Sequence, residues 1–229
     1  MTIMEPLVTI SIATYKGLDY LKNCSLPSIL IQDYQNFEVL ISNDGPDSDL
    51  QLFVESLNDS RIKYSIYPRV KYANEQEARC TGGARGQNIN LSNAQGKYIA
   101  ELDQDDFWAP DFLRTKVNYL EANPDVDFIH SLCAFSSGIY FGKEYNGSAI
   151  HNTIGHLTIL YKNHLKKYKF IESGQLPADF LRWQEMYKRG VKMKYLPIVK
   201  TLYNQKDKTF PELRIIYRRL FGVDLSPLT

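Results

Sequence analysis

At 229 residues and a formal charge of +1, the chain has room for one large domain and carries no global field that would draw nucleic acid. Its three cysteines, Cys24, Cys80 and Cys133, are scattered and odd in number, which argues against a disulfide framework and, lacking ligand spacing, against zinc. No apolar run approaches the roughly 18–20 residues of a membrane-crossing helix, and the first residues lack the basic and apolar regions of a signal peptide, so a cytoplasmic location is expected.

Residues 7–14 are apolar and β-branched, which predicts a buried strand. Beyond Gly17, the residues Leu18, Leu21, Cys24, Ser28 and Ile31 recur at helical spacing, and Pro27 is expected to kink that helix. Residues 37–42 predict a second strand, ending in the turn sequence Asn43-Asp44-Gly45-Pro46-Asp47. A helix over 50–57 and a strand over 61–67 follow, and then a polar, irregular stretch over 68–82. Residues 84–94 read as a helix capped by Gly96, and 98–102 as a fourth strand.

Short buried strands alternating with helices predict an α/β fold, Rossmann-like, with a mostly parallel sheet and helices on both faces. Such sheets bind ligands at the carboxyl ends of strands, near the point where strand order reverses. Three strand ends carry polar groups: Thr14-Tyr15, Asn43-Asp44, and the run Asp103-Gln104-Asp105-Asp106. In the last, an apolar strand runs into three carboxylates that repel one another unless a cation or a set of donors offsets them. Mg²⁺ typically takes one or two carboxylates and completes its shell with water and substrate phosphate. The cluster therefore predicts a metal-assisted site for a diphosphate. Its plainer reading is a solvated turn that N-caps the next helix, as that of Asp44 is an ordinary Asp-Gly turn.

Pro110 opens a helix whose Leu113, Val117 and Leu120 share one face, and Asn123-Pro124 stops it. A strand over 126–135 is followed by a Gly-, Ser- and Asn-rich loop over 136–155, expected to cover the site. A helix over 178–189, strands over 194–196 and 199–203, and a terminal helix over 212–221 complete the chain. Lysines 162, 166, 167 and 169 and arginines 214, 218 and 219 make this half locally basic. They form a solvated face or one attracted to an anionic membrane surface.

Taken in order, Thr14-Tyr15, Leu-Pro-Ser-Ile-Leu-Ile-Gln at 26–32, Asn-Phe-Glu-Val-Leu-Ile-Ser-Asn-Asp-Gly at 36–45, Gly-Lys-Tyr-Ile-Ala at 96–100 and Leu-Asp-Gln-Asp-Asp at 102–106 resemble the family 2 glycosyltransferases. The resemblance covers roughly the first 130 residues and thins downstream to His156 and Ala178-Asp179-Phe180-Leu181-Arg182-Trp183. It implies a GT-A fold and inverting transfer of a sugar from a nucleotide-diphosphate donor with Mn²⁺ or Mg²⁺. It further implies a glycan or lipid-linked acceptor and a place in polysaccharide biosynthesis; the membrane-attracted reading of the basic residues would put the protein at the inner face of the membrane. Residues 1–135 would form the nucleotide-sugar half, and residues 136–229 the smaller acceptor-side half. By position, Asp44 matches the acidic residue at the nucleobase and Thr14 and Tyr15 the loop beside it. Asn88 belongs to the same donor-binding set. Asp103 and Asp105 match the ends of the family's DxD motif, facing ribose and metal, and Asp179 matches the catalytic base.

Other roles rest on chemistry alone. His156 is a candidate metal or phosphate ligand, since imidazole suits first-row metals, and equally an ordinary loop or core histidine; His130 and His151 are weaker candidates. Arg79 and Arg85 are candidates to reach the diphosphate. The chain departs from the family at Asn43, Pro46, Gln87 and Ala178, the last standing where a Glu commonly precedes the base. Those departures keep open a non-catalytic nucleotide-sugar-binding module. A sugar-phosphate nucleotidyltransferase would need a Gly-rich loop after the first strand, which here reads Ala-Thr-Tyr-Lys-Gly, and a dehydrogenase would need Gly-x-Gly-x-x-Gly.

Overall fold

The computed structural model describes residues 4–147 and 153–228, so His151 and part of the 136–155 stretch lie outside the described residues. Strand β1 (Val8–Thr14) alternates Val and Ile with Thr and Ser, and residues 8–12 are fully buried. Each buried apolar side chain of this kind contributes roughly 1.5–3 kcal/mol. The polar set is satisfied: Thr9 donates to Glu38 at 2.7 Å, and Asn90 donates to Ser11 at 2.9 Å and to the Ile12 carbonyl at 3.0 Å.

The helical run after β1 is α1 (Leu18–Tyr20), a π-turn (Leu21–Ser25) and α2 (Leu26–Leu30). Pro27 has no N–H for the carbonyl four residues back, and the wide turn absorbs the expected kink. Strand β2 (Phe37–Asp44) extends two residues past its predicted end, because Asn43 and Asp44 pair with Ile66 and Tyr67 of β3 (Ile62–Tyr67). Between them, α3 (Ser48–Ser56) is capped by Asp47, which accepts from Leu50 N at 3.0 Å.

The irregular 68–82 stretch contains a helix, α4 (Glu75–Thr81). Asn74 accepts from Glu77 N at 2.9 Å while the Glu77 carboxylate accepts from Ala73 N at 2.6 Å. That reciprocal cap outweighs the polar composition. Helix α5 (Ala84–Asn93) follows, and Gly96 does not cap it. A Cβ at Gly96 would lie 2.4 Å from Thr9 N, so glycine is required by close approach of the chain to β1.

Next come β4 (Tyr98–Glu101), the two-residue β5 (Phe107–Trp108), α6 (Phe112–Ala122), β6 (Phe128–Phe135) and β7 (Tyr140–Phe141), the last inside the expected loop. A 3₁₀ turn (His156–Thr158), β8 (Leu160–Lys162), a second 3₁₀ turn (Asn163–Lys167) and α7 (Ala178–Lys188) lead to β9 (Met193–Tyr203) and α8 (Phe210–Phe221). The two strands expected around Pro197 are one, because a register shift lets Ser131 face Leu196 while Leu132 faces Val199.

One sheet orders its strands β3-β2-β1-β4-β8-β6-β9-β5, with β7 on β6. Strands β1 to β4 are parallel; β6 and β9 return to their direction through the antiparallel β8, so the sheet is mostly parallel, as expected. Strand β1 sits between β2 and β4, and order reverses there, opening a crevice at their carboxyl ends.

Candidate active site

That crevice is a cleft of about 1100 Å³. Thr14, Tyr15, Asp44, Asp103, Asp105, His156 and Asp179 all line it. Asn88 does not: its amide donates to the Phe170 carbonyl at 2.9 Å and accepts from Phe170 N at 2.8 Å, clamping the 170–172 segment to α5. Its neighbour Gln87 takes the cleft position. Arg79 also lines the cleft, whereas Arg85 is paired with Glu172 at 2.9 Å.

At one end, Asp44 is buried at the tip of β2. Its Oδ1 accepts from Val70 N at 2.7 Å, and its Oδ2 accepts from Arg69. The Arg69 guanidinium lies 3.7 Å from the Tyr15 ring centroid.

In the middle, Gln104 ties two strand ends together. Its Oε1 accepts from Tyr15 N at 3.1 Å and from the Thr14 hydroxyl. Gly17 leaves room beside them, since a Cβ there would lie 2.1 Å from Thr14 Oγ1 and 2.2 Å from Gln104 Oε1 and would displace that pair. Asp105 pairs with Lys206 at 3.0 Å. Lys206 holds a left-handed backbone (φ 60°) in the segment after β9 and extends its ammonium over Tyr20. Asp106 turns from the cleft: it is fully buried, and its Oδ1 accepts from Asn204 N at 2.8 Å. Burial, reinforced by Asp105 and Asp103, pushes its carboxyl well above the usual range. It therefore anchors the segment that carries Lys206. Asp103 is also raised, first by desolvation and then by Asp105, Asp179 and Glu101, against an opposing pull from His156.

At the far end, the turn carrying His156 is pinned by Trp108 Nε1, which donates to the Leu157 carbonyl at 2.8 Å, and by Lys116, which donates to the Thr158 carbonyl at 2.6 Å. His156 Nδ1 lies 3.3 Å from Glu101 Oε2, and its Nε2 lies 3.3 Å from Gln87 Nε2 and 3.9 Å from Asp103. Burial disfavours its charge, but Asp103, Glu101 and Asp179 outweigh burial and raise the imidazole, favouring imidazolium. Glu101 in turn accepts from the fully buried Arg182 at 2.7 Å and from the Tyr161 hydroxyl. Arg182 also donates to the Tyr168 carbonyl at 2.7 Å and packs against Phe170, Trp183 and Tyr161. This locks α7, whose first turn presents Asp179 to the cleft.

Among the described residues, no three His, Cys, Asp or Glu side chains form a group able to hold a metal ion by themselves. His156 faces Glu101, Gln87 and Asp103, leaving Asp105 to Lys206. Asp105 still suits a hard ion of the Mg²⁺ type, which needs one or two carboxylates if substrate phosphates complete the shell. His130 is buried on β6, and burial, with Lys116 beside it, pushes it down to about 3, so it is a neutral core residue.

Arg69, Gln104, Lys206, Glu101 and Arg182 are the side chains sequence reasoning missed. Gln104 and Arg182 lay inside quoted motifs without a role of their own, and Glu101 left a signal as a carboxylate inside the apolar run Tyr-Ile-Ala-Glu-Leu that calls for a buried cation.

Residues 9–180 match the sequence profile of glycosyl transferase family 2, and the chain belongs to that family. It is 28% identical over 206 residues to the UDP-Glc:alpha-D-GlcNAc-diphosphoundecaprenol beta-1,3-glucosyltransferase WfaP of Escherichia coli, covering 86% of this chain and 76% of that protein. Residues 1–349 of S. aureus TarS, solved in complex with UDP-GlcNAc, superpose with a TM-score of 0.69 at 18% identity, over 96% of this chain and 68% of that one. The mannosyltransferase PcManGT from Pyrobaculum calidifontis, solved with GDP-Man and Mn²⁺, gives 0.66 at 17% identity, over 95% and 62%. The fold is of the GT-A type.

Proposed function

We propose that the protein transfers a sugar, with inversion and metal assistance, from a nucleotide-diphosphate donor to a hydroxyl of a glycan or lipid-linked glycan. The convergence of Asp44 and Tyr15, the Asp103–Asp105 pair, and Asp179 on one cleft carries this reading. Asp44 accepts the N–H edge of the base, Tyr15 offers it a π-face, and Asp103 receives ribose hydroxyls. Bound through Asp105, Mn²⁺ or Mg²⁺ would supply Lewis-acid stabilisation of the departing diphosphate. His156, whose imidazole the surrounding carboxylates raise against its burial, stands beside Asp103 to meet that diphosphate. Asp179 removes the acceptor proton as the hydroxyl attacks from the face opposite the leaving group, a contribution of roughly 10²–10⁴ in rate.

Residues 1–135 supply the donor side, and residues 136–229 the acceptor side. The E. coli relative is named for a lipid-linked diphosphoundecaprenol acceptor, which supports an acceptor of that class. No helix among the described residues is long and apolar enough to cross a membrane. Exposed Ile215 beside Arg218 and Arg219 on α8 favours peripheral contact with an anionic membrane face instead.

The test is a thermal-shift screen of nucleotide-sugars with and without Mn²⁺, followed by turnover. Specific donors raise the midpoint by mass action, and Asp105→Asn abolishes Mn²⁺-dependent turnover in a folded protein. Unchanged turnover in that variant refutes the metal assignment. Ala178 and Gln87 favour a second reading, a binding module, which donor binding without transfer or hydrolysis would establish.

A further inference from the structure

Arg69 lies two residues past the end of β3, and its guanidinium stands where a nucleobase is expected. It stacks 3.7 Å from the Tyr15 ring centroid and donates to Asp44 Oδ2. The other Asp44 oxygen already takes Val70 N at 2.7 Å. One side chain thus engages both features on which base recognition rests, the aromatic face and the carboxylate acceptor.

We propose that Arg69 is an internal occupant of the nucleobase seat, a planar cation that imitates the stacking face and N–H edge of a base and swings out when a nucleoside diphosphate binds. The inference rests on the reading above that Asp44 and Tyr15 receive the base. Two observations support displacement. A base cannot stack on a ring face that a guanidinium already covers at contact distance. The guanidinium is also free to leave without disturbing the backbone: the Arg69 side chain is 42% exposed, while Val70 N stays bonded to Asp44.

The arrangement has a physical reason. Asp44 is only 5% exposed, and a carboxylate so buried needs a compensating donor while no nucleotide is bound. Arg69 supplies that donor, and the base N–H replaces it. The consequence is a lowered affinity, because only the fraction of molecules with Arg69 swung out is competent to bind.

The experiment is calorimetric titration of UDP, GDP and inorganic pyrophosphate into wild type and Arg69→Met, all with Mn²⁺. The variant is expected to bind UDP or GDP about tenfold more tightly, with pyrophosphate binding unchanged. Coulomb attraction alone gives the opposite sign, since deleting a cation weakens binding of a polyanion. Equal or weaker nucleotide binding in the variant overturns the inference and makes Arg69 a bystander or a base contact. A gain shared by pyrophosphate overturns it too, because that ligand has no base. Should neither protein distinguish a nucleotide from pyrophosphate, the nucleotide-binding reading itself fails.

Discussion

Lys206 reaches back from the segment after β9 to place its ammonium 3.0 Å from the carboxylate of Asp105, so the residue proposed above to hold a divalent ion is paired with the chain's own cation. The Asp105 side chain is 14% exposed and that of Lys206 60%. A pair so open on one side contributes only about 0–1 kcal/mol, and a divalent ion with a diphosphate can outcompete it. Lys206→Met is expected to tighten Mn²⁺ binding in the absence of donor by up to about fivefold, the equivalent of ~1 kcal/mol. Titration of Mn²⁺ followed by electron paramagnetic resonance reads this directly. Weaker Mn²⁺ binding in the variant would show that Lys206 organises the site instead of blocking it.

Asp179 lies in the first turn of α7 at the cleft, its Oδ1 accepting from Phe180 N at 2.7 Å. Asp179→Asn keeps that acceptor and the helix start but cannot take a proton. Turnover is expected to fall by roughly 10²–10⁴, with nucleotide-sugar affinity unchanged by calorimetry. A loss confined to donor affinity would assign Asp179 to sugar binding.

The first sheet half was legible because β1, β2 and β4 each hide an apolar run that ends in polar residues, and a buried strand cannot slip register without exposing that run. Asp44, Asp103 and Asp105 followed from the same logic. Strands β5, β7 and β8 were not legible, at two or three residues each. Their pairing comes from partners distant in sequence, as when Leu160 meets Ala100 and Ile129. The side chains missed in the cleft share this cause. Lys206 and Arg69 look like ordinary surface cations in sequence, and only the return of the chain after β9 and β3 brings them to Asp105 and Asp44.

Gly17 lies where the chain leaves β1, and any Cβ there collides with Thr14 Oγ1 and Gln104 Oε1. Gly17→Ala forces Thr14 and Gln104 apart and separates the loop after β1 from the Asp103–Asp105 turn. Overpacking of this kind typically costs about 1–3 kcal/mol. A lower Tm together with weaker UDP binding is expected; wild-type UDP affinity in the variant would show that the Thr14–Gln104 link does not shape the donor site.

Arg182 and Glu101 are both completely buried and meet at 2.7 Å. Removing one partner strands the other charge, so Arg182→Met is expected to destabilise by roughly 3–5 kcal/mol. Replacing both, Arg182→Met with Glu101→Gln, removes the stranded charge and recovers much of that loss. Urea denaturation of the four proteins of the double-mutant cycle measures the coupling. Additive losses would mean that Arg182 stabilises α7 through its packing against Phe170 and Trp183, with the ion pair incidental.

Lys116 is another fully buried ionisable side chain, and it donates to Ser131 Oγ at 3.1 Å and the Thr158 carbonyl at 2.6 Å. Burial lowers its ammonium from the ordinary 10.5 to about 7. Between those values the unfolded chain holds a proton that the folded chain has released, so stability rises with pH, by up to about 1.4 kcal/mol per unit. Below pH 7 both states are charged and the full burial penalty remains. Lys116→Met keeps the volume and removes the titration. The difference in unfolding free energy between variant and wild type is therefore expected to shrink steadily from about pH 7 to 9.5, with the variant no less stable at neutral pH. A pH-independent difference would mean that the two hydrogen bonds hold Lys116 charged throughout, and that its attachment to Thr158 is what fixes the His156 turn.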